Sequence, residues 1–255
     1  MPILETRGLT VRFGGHIAVN GVTCAFEPGT LTAIVGPNGA GKTTYFNLIS
    51  GQLRASAGVV VVKGEDVTAL GPDKRTRRGI GRAFQLTNLF PNLTVLENVR
   101  LAVQARARNG VDLFSMASRH RDLMDKACHY LDRVALTARS LTNAAALSHG
   151  DQRKLEVALM LALEPDIFMF DEPTAGMSVD EVPVILDLIE AIKQAGDKTI
   201  LLVEHKMDVV RRLADRIIVL TNGTLVADGE PEAVVALPVV QEAYLGIRRK
   251  EAGHA

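Results

Sequence analysis

The sequence of 255 residues predicts an α/β fold with buried, largely parallel strands. Short runs rich in β-branched and aliphatic residues alternate along the chain with stretches of helical periodicity. Continuous apolar runs of this kind are typical of strands that are covered on both faces by helices. The predicted strands are residues 31–35, 59–63, 167–170, 199–203 and 216–220.

Charge and cysteine content exclude several classes of protein. Basic and acidic residues number 29 each, so no global positive field attracts nucleic acid, and we expect no nucleic-acid partner. Cys24 and Cys128 lie far apart without CxxC spacing, which argues against a disulfide framework or a zinc site and fits a reducing cytosol. No signal-peptide pattern and no apolar run of about 20 residues is present, so we expect a soluble chain.

The middle of the chain, residues 86–164, has helical periodicity with only weak strand candidates, and we interpret it as a helical insertion. Thr94 and Glu97 have the spacing of a capping box, which predicts a helix that begins there and ends near Asn109-Gly110. Near the C-terminus, Asn222-Gly223 between two short apolar runs predicts a two-residue β-hairpin turn.

The strongest chemical signal is the sequence GPNGAGKTT, residues 36–44, named here the phosphate-binding loop. Small residues allow the backbone N–H groups of such a loop to surround phosphate oxygens, and a predicted strand precedes it while a helical pattern follows. Lys42 is placed to reach terminal phosphates, and the Thr43 hydroxyl is placed to bind magnesium. The alternative is a glycine-rich turn with no ligand.

A second signal is IFMFDEP, residues 167–173, in which four apolar residues predict a buried strand. The strand delivers Asp171 and Glu172 to its carboxyl end, where open α/β sheets bind ligands. Asp171 is suited to hold magnesium, and Glu172 to polarise a water molecule for attack on a γ-phosphate. The alternative is a pair of solvated acids before Pro173.

The third signal is LSHGDQ, residues 147–152, named here the signature segment. Ser148 followed by Asp151 resembles a capping box, so a helix is expected to begin at Ser148 although Ser148, His149, Gly150 and Asp151 are mostly poor helix formers. A helix N-terminus presents unpaired N–H groups, and an anionic ligand is therefore expected there.

Together these segments resemble the ATP-binding subunit of ABC transporters, over nearly the whole chain and in the order of that family's motifs. The resemblance implies that ATP is the ligand, with Phe13 stacking on adenine. It also implies a P-loop NTPase (RecA-like) core with an antiparallel β subdomain and an inserted α-helical subdomain. The phosphate-binding positions that it implies are Gly36, Asn38, Gly39, Gly41, Lys42, Thr43 and Thr44.

The resemblance also implies roles in hydrolysis. Glu172, His205 and Gln85 correspond to the catalytic positions of the family, and Thr43, Gln85 and Asp171 to the positions that hold Mg²⁺. Ser148 and Gly150 correspond to the motif that faces the ATP of a second subunit. Two ATP molecules would then join two subunits head to tail.

The domain boundaries that we expect are a single ATPase domain at 1–242, with a nucleotide-binding core at 1–85 and 165–230. The helical insertion occupies about 86–164, and a C-terminal tail follows at 231–255.

Several assignments have structural alternatives. Phe13 lies in an alternating strand, where a core position is an alternative to adenine stacking. Gln85 would otherwise be a polar strand end, and His205 a histidine satisfied at the end of its strand. Ser178 stands where the family has an aspartate that contacts the opposite subunit, but Ser178 with Glu181 also forms a capping-box pattern for the helix that follows.

The signature segment departs from the family's common Leu-Ser-Gly-Gly-Gln. His149 replaces the first glycine and Asp151 replaces the glutamine. A carboxylate near a phosphate repels it, unless Asp151 folds back to accept the Ser148 N–H. The departure raises the alternative of a weakly catalytic, ATP-gated scaffold within a heterodimer.

Within the family, the stretches GIGRAFQLTNLFPNLTVLENV, TAGMS, VEHKMDVV and AYLG resemble importers of branched-chain amino acids, whose relatives import urea, short amides and aromatic acids. This implies a second ATP-binding subunit, identical or different, two transmembrane permease subunits and, indirectly, a periplasmic solute-binding protein. It also implies a peripheral location on the cytoplasmic face of a bacterial inner membrane. The alternative is an ABC ATPase that serves another machine, such as one for lipid or lipopolysaccharide export, DNA repair or translation.

The segment 86–97 is expected to contact the permease, because Leu89, Phe90 and Leu93 alternate there with loop-forming residues. The alternative is that these three side chains close the core of the insertion itself.

Overall fold

The computed structural model describes residues 1–83, 89–107 and 117–245, which divide into two compact units. One unit comprises residues 1–75 together with the chain from 199 onward, and the other comprises residues 76–198. The strands are β1 Leu4–Phe13, β2 His16–Phe26, β3 Leu31–Val35, β4 Ala57–Val62, β5 Glu65–Asp66, β6 Ile80–Ala83, β7 Ile167–Asp171, β8 Thr199–Val203, β9 Arg216–Thr221 and β10 Thr224–Gly229.

Nine helices accompany these strands in the described part of the chain, with two short 3-10 turns at Thr137–Arg139 and Ala144–Ala146. The helices are α1 Lys42–Ser50, α2 Pro72–Arg77, α3 Val95–Arg106, α4 Ala117–Arg133, α5 His149–Ala162, α6 Val182–Gln194, α7 Met207–Leu213, α8 Pro231–Val235 and α9 Pro238–Leu245. None of the helices in the described ranges is long and apolar enough to cross a lipid bilayer.

The first unit contains two sets of strands. Strands β2, β1, β4 and β5 form an antiparallel sheet in that order. In the second set, β3 pairs in parallel with both β8 and β9, and β10 pairs antiparallel with β9. The predicted run 59–63 overlaps β4, which pairs antiparallel with β1 and thus belongs to the antiparallel β subdomain that the family resemblance implies. A run of valines indicates that a strand is buried, but it does not indicate whether the neighbouring strand runs parallel or antiparallel to it.

Other strand predictions are confirmed. Strands β3 and β8 have the predicted bounds, and every residue in both is buried. The predicted hairpin is also present: Thr221 pairs with Thr224 across Asn222 and Gly223, whose φ angles of 48° and 76° suit a type I′ turn.

The C-terminal helices of the first unit pack on its core. Val234 of α8 and Val240 of α9 are buried in a cluster with Val35 of β3 and Val219 of β9. Residues 231–245, which lie within the predicted tail, thus include ordered helices that cover apolar surface. The part of the tail from 246 onward lies outside the described residues.

The second unit is mostly helical around one pair of strands. Strand β6 pairs in parallel with β7, and α3, α4 and α5 pack against one another. Within the described parts of 86–164 no strand is present and one isolated bridge joins Thr94 to Asn143, as the helical periodicity predicts. Thr94 caps α3 as expected, since its hydroxyl accepts a hydrogen bond from the Glu97 N–H. Asn109 and Gly110 lie outside the described residues.

Candidate nucleotide-binding and hydrolysis site

The phosphate-binding loop connects the end of β3 to the start of α1, and two of its glycines lie against neighbouring backbone. A Cβ atom on Gly36 would lie 2.1 Å from the carbonyl oxygen of Leu220. A Cβ on Gly41 would lie 2.5 Å from the carbonyl oxygen of Ala18. Since neither neighbour is a flexible side chain, only glycine fits at these two positions.

The N-terminus of α1 is built to face an anion. Its N-cap residue is Gly41, with φ 94°, and no side chain caps the helix. Thr43 and Thr44 lie half-buried in the first turn, while Asn38 and Gly39 are exposed in the loop before it. A helix start without a side-chain cap leaves its first N–H groups and the positive end of its dipole without a side-chain acceptor, which is the arrangement that anion-binding helix termini have.

Lys42 belongs to the phosphate-binding loop and is also the first residue of α1. The residue is 7% exposed, and its Nζ donates hydrogen bonds to the carbonyl oxygens of Gly36 at 2.7 Å and Pro37 at 3.0 Å. An ammonium group shielded from water gains more from a negatively charged acceptor than from neutral carbonyls. The arrangement therefore places a cation beside the N-terminus of α1, ready for phosphate oxygens.

Phe13 is the last residue of β1 and pairs with His16 across a two-residue turn. Its side chain is not in the core, because the residue is 51% exposed. The alternative of a core position is therefore wrong, and adenine stacking remains a prediction.

Asp171 is the last residue of β7 and lies beside an arginine on the neighbouring strand. Arg82 of β6 is in register with Met169, so Arg82, Met169 and Asp171 share one face of the strand pair. Arg82 Nη2 donates to Asp171 Oδ2 at 2.9 Å, and the two side chains are only 6% and 7% exposed. Burial lowers the pKa of Arg82, and the Asp171 charge acts in the opposite direction. The result is a buried ion pair at the carboxyl end of β7.

Glu172 is the first residue after β7 and departs from strand geometry. Its φ angle is +50°, in the left-handed region that a glutamate rarely occupies, and the residue is half-buried. A backbone conformation of this kind costs about 1–3 kcal/mol and is found preferentially at functional sites. Because the backbone turns at Glu172, its side chain does not continue the alternation of side-chain directions along β7. Gln85, the third predicted catalytic residue, lies outside the described residues.

The signature segment forms the start of α5. Ser148 is the N-cap, and its Oγ accepts a hydrogen bond from the Asp151 N–H at 3.1 Å. The Asp151 carboxylate does not fold back on Ser148 as the capping-box pattern predicts; instead it accepts a hydrogen bond from Lys154 Nζ at 3.1 Å. Lys154 therefore offsets part of the negative charge that Asp151 brings. Ser148 and His149 are exposed, and Gly150 is buried.

Gly150 is buried by the carboxylate of Glu181. A Cβ on Gly150 would come within 2.1 Å of Glu181 Oε1, so the carboxylate rests against the glycine backbone. Glu181 Oε2 also accepts hydrogen bonds from the Ser178 N–H and hydroxyl. The expected contact of the Glu181 carboxylate with Ser178 is present, but Ser178 does not cap α6, because that helix begins at Val182 with Glu181 as its N-cap and has no side-chain cap.

His205 follows β8 and has a half-exposed side chain. Its backbone position is fixed by Glu204, which is 1% exposed and whose Oε1 accepts hydrogen bonds from the N–H groups of both His205 and Lys206. The carboxylate of Glu204 therefore holds the turn that presents the imidazole to solvent.

Three residues of this arrangement were absent from the sequence-based predictions. Arg82 is the partner of Asp171, Lys154 is the partner of Asp151, and Glu204 orders the backbone of His205. A signal for Arg82 was available: a charged residue within the short apolar strand Ile80–Ala83 requires a buried partner.

Comparisons with known proteins identify the family of this chain. The family model described as "ABC transporter" matches residues 19–175. The high-affinity branched-chain amino acid transport ATP-binding protein BraF of Pseudomonas aeruginosa is 38% identical over 250 residues, which cover 96% of this chain and 98% of BraF.

Solved structures are similar over nearly the same length. The ADP conformation of MJ1267, an ATP-binding cassette of an ABC transporter, matches with a TM-score of 0.81 and 30% identity, covering 96% of this chain and 99% of that one. A dimeric post-hydrolysis state of the ATP-binding cassette MJ0796, bound to ADP and Pi, matches with a TM-score of 0.77 and 26% identity, covering 89% and 98%. The chain therefore belongs to the ABC transporter family and has the fold of its ATP-binding cassettes.

Proposed function

We propose that this chain is the ATP-binding and hydrolysing subunit of an ABC importer for branched-chain amino acids or a related small solute such as urea, an amide or an aromatic acid. The observation that carries the proposal is the nearly full-length similarity to BraF, combined with a phosphate-binding loop whose lysine and helix N-terminus face one anion site. The subunit would act at the cytoplasmic face of a bacterial inner membrane.

ATP binding begins at the phosphate-binding loop. Lys42 exchanges the carbonyl oxygens of Gly36 and Pro37 for the terminal phosphates, since charged acceptors bond an ammonium more strongly than carbonyls do. The N–H groups at the start of α1 bind the phosphates alongside it. Phe13, exposed at the tip of the first hairpin, stacks on the adenine ring.

A second copy, or a related ATP-binding subunit, completes the pocket. Ser148 is exposed at the N-terminus of α5 and offers a hydroxyl to the γ-phosphate bound by the opposite subunit. The N–H groups near Gly150 supply further donors, and Lys154 compensates the charge of Asp151. The dimeric form described for MJ0796 supports this arrangement.

Hydrolysis then requires a base and a group that steadies the γ-phosphate. Gln85 orients the attacking water, and Glu172 accepts a proton from it. The water oxygen attacks the γ-phosphorus in line with the bond to ADP, and ADP leaves as that bond breaks. His205 donates a hydrogen bond to a γ-phosphate oxygen, with its backbone held by Glu204. Loss of the γ-phosphate removes the charge that bridges the two subunits, which then separate.

The oxygen donors of Thr43, Gln85 and Asp171 are of the type that Mg²⁺ prefers, and the buried, charged Asp171 fits a cation. When bound, Mg²⁺ would neutralise charge on the phosphate oxygens.

The permease is proposed to dock on the segment 86–97. Phe90 is 55% exposed, so it does not close the core of the insertion. Asn98, which is 1% exposed, accepts from the Phe90 N–H and donates to the carbonyl oxygens of Phe90 and Thr94. A buried amide thus fixes the turn that displays an apolar side chain. Residues 86–88 lie outside the described part.

A second candidate is an ATP-gated scaffold with weak catalysis in a heterodimer. It is favoured by the negative charge at the N-terminus of α5, where Asp151 lies in the first turn and the Glu181 carboxylate rests against Gly150. In that case the partner's ATP would be bound at this chain but hydrolysed slowly.

Reconstitution tests the proposal. The chain is co-purified with the permease encoded beside it, placed in proteoliposomes with ATP inside, and supplied with radiolabelled leucine and the matching solute-binding protein outside. ATP-dependent uptake that is lost in Glu172→Gln supports the importer. Hydrolysis without uptake of leucine, urea, amides or aromatic acids contradicts it, and uptake in which only the ATP on this chain's own phosphate-binding loop is hydrolysed rapidly, with slow hydrolysis of the partner's ATP, supports the scaffold.

A further inference from the structure

The most unusual ionic contact of the second unit is the one between Arg82 and Asp171. Both side chains are more than nine-tenths buried, and Nη2 lies 2.9 Å from Oδ2. The other ion pairs described in this unit each include at least one side chain that is 12% or more exposed, such as Arg100 with Glu97. A buried charge pair is costly to form, so its retention points to a requirement other than stability.

The strand register explains how the pair forms. Arg82 is opposite Met169, and Asp171 is the next residue along the same face of β7. The arginine side chain therefore extends towards the carboxyl end of the pair and meets the carboxylate there. Because β6 and β7 are hydrogen-bonded neighbours, Arg82 is supported by regular backbone structure rather than by a loop.

A carboxylate that binds a metal is normally held by a hydrogen-bond donor of its own. Such outer partners fix the direction of the carboxylate oxygens, and their loss costs about tenfold to a hundredfold in metal affinity or activity. Arg82 has the geometry of such a partner, since it engages one named oxygen, Oδ2, from a fixed strand.

We propose that Arg82 is a positioning residue that holds the Asp171 carboxylate in place for the magnesium ion that accompanies ATP. The inference rests on the proposed function, in which Asp171 contributes to the magnesium site. Arg82 does not contact the nucleotide; it acts by fixing the direction of the Asp171 carboxylate oxygens before ATP arrives. It also keeps the buried carboxylate paired when no metal is bound.

The test measures how nucleotide binding depends on magnesium. Binding of a fluorescent, non-hydrolysable ATP analogue is followed by polarisation, first in EDTA and then along a series of free Mg²⁺ concentrations. In Arg82→Gln we expect the Mg²⁺ concentration at half-effect to rise about tenfold to a hundredfold, while affinity in EDTA stays at the parent's value. Arg82→Lys keeps the positive charge but loses the planar guanidinium group. We therefore expect a smaller rise in the Mg²⁺ concentration at half-effect than in Arg82→Gln.

Two further variants make the result decisive. Asp171→Asn removes the carboxylate that is proposed to bind Mg²⁺, so it gives the largest rise in the Mg²⁺ concentration at half-effect that loss of this carboxylate can cause. Arg216→Gln is the matched control, because Arg216 forms an ion pair with Asp228 in the other unit and should leave the Mg²⁺ dependence unchanged. Thermal unfolding verifies that each variant is folded. If Arg82→Gln does not fold, the Mg²⁺ dependence of Arg82→Lys is compared with that of the parent instead.

Three results would overturn the inference. An unchanged Mg²⁺ midpoint with a lower melting temperature assigns Arg82 a structural role alone. A lower midpoint shows that Arg82 competes with the metal for Asp171. A shift in Asp171→Asn without one in either Arg82 variant refutes the inference but leaves the proposed function intact, whereas a parent chain that binds no nucleotide removes the proposed function itself.

Discussion

Lys42 Nζ lies 2.7 Å from the carbonyl oxygen of Gly36, so the lysine of the phosphate-binding loop bonds back to the loop's first residue. A second bond, to the carbonyl of Pro37, completes the contact. These two hydrogen bonds order the lysine side chain within the loop, so a phosphate can replace the carbonyl acceptors without the cost of ordering a flexible side chain.

Removal of that cation should weaken nucleotide binding. A hydrogen bond to a charged group contributes about 1.5–3 kcal/mol, so Lys42→Ala is expected to raise the Kd for ATP about tenfold to a hundredfold, as measured by isothermal titration calorimetry. Lys74→Ala, at an exposed position of α2 in the same unit, is the control and should bind ATP as the parent does. Equal affinity in both variants would contradict the role of Lys42.

Two of the three glycines of the same loop, Gly36 and Gly39, should respond differently to alanine. Both Gly36 and Gly39 have positive φ angles, of 153° and 80°, but a Cβ on Gly39 meets nothing within 4 Å. Gly39→Ala is therefore expected to cost only the conformational strain, about 1–2 kcal/mol. Gly36→Ala must also displace the backbone at Leu220, which adds about 1–3 kcal/mol. Denaturant unfolding measures the difference, and equal losses would mean that the close approach at Gly36 does not constrain the fold.

Replacement of the proposed base should separate binding from hydrolysis. Glu172→Gln keeps the size and shape of the side chain at a position with φ +50° but removes the proton acceptor. Turnover is expected to fall about a hundredfold to ten-thousandfold, with ATP affinity retained and a nucleotide-bound dimer accumulating. Phosphate release and sedimentation velocity measure the two effects. Glu232→Gln, at an exposed position of α8, is the control, and turnover in Glu172→Gln equal to that of this control would remove Glu172 from its role.

Two helix caps of the second unit allow a matched test of the signature segment. Ser148 caps α5 and Thr94 caps α3 by the same kind of hydrogen bond, to the N–H three residues later. Loss of either cap to alanine should cost about 1 kcal/mol of stability. Only Ser148→Ala should also weaken ATP-driven dimerisation, roughly tenfold or more, because only Ser148 is proposed to meet a phosphate. Analytical ultracentrifugation in the Glu172→Gln background separates the effects, and identical dimerisation in the two variants would argue against the assignment.

Elements with an unbroken apolar signal were predictable from the sequence. Every residue of β3 and β8 is buried, so the largely apolar run in the sequence has the same first and last residue as the strand in the structure. Strands β1 and β2 are the longest in the described chain, yet apolar runs do not reveal them. Register shifts interrupt their pairing, so the period-2 alternation noted near Phe13 does not extend far enough to give the bounds of either strand.

Site residues were predictable where a motif is local, and not where the contact depends on register or tertiary structure. The phosphate-binding loop and the Ser148 cap depend on residues within one short segment. The pairing of Arg82 with Asp171 depends on the alignment of β6 with β7, and the position of Glu181 against Gly150 joins two distant segments. The turn of Asp151 towards Lys154 was missed because both a capping box and an i,i+3 ion pair fit the same sequence.

The most direct test of the account is complementation between two inactive chains. Lys42→Ala disables the phosphate-binding loop, and Ser148→Glu places a repelling carboxylate at the start of α5, where the helix dipole tolerates it. If each pocket combines Lys42 of one chain with Ser148 of the other, a mixed dimer of the two variants contains one intact pocket. We predict that mixing the two chains restores ATP hydrolysis well above the sum of the separate activities. Hydrolysis equal to that sum at every mixing ratio, with the parent chain active under the same conditions, would contradict a pocket shared between two chains.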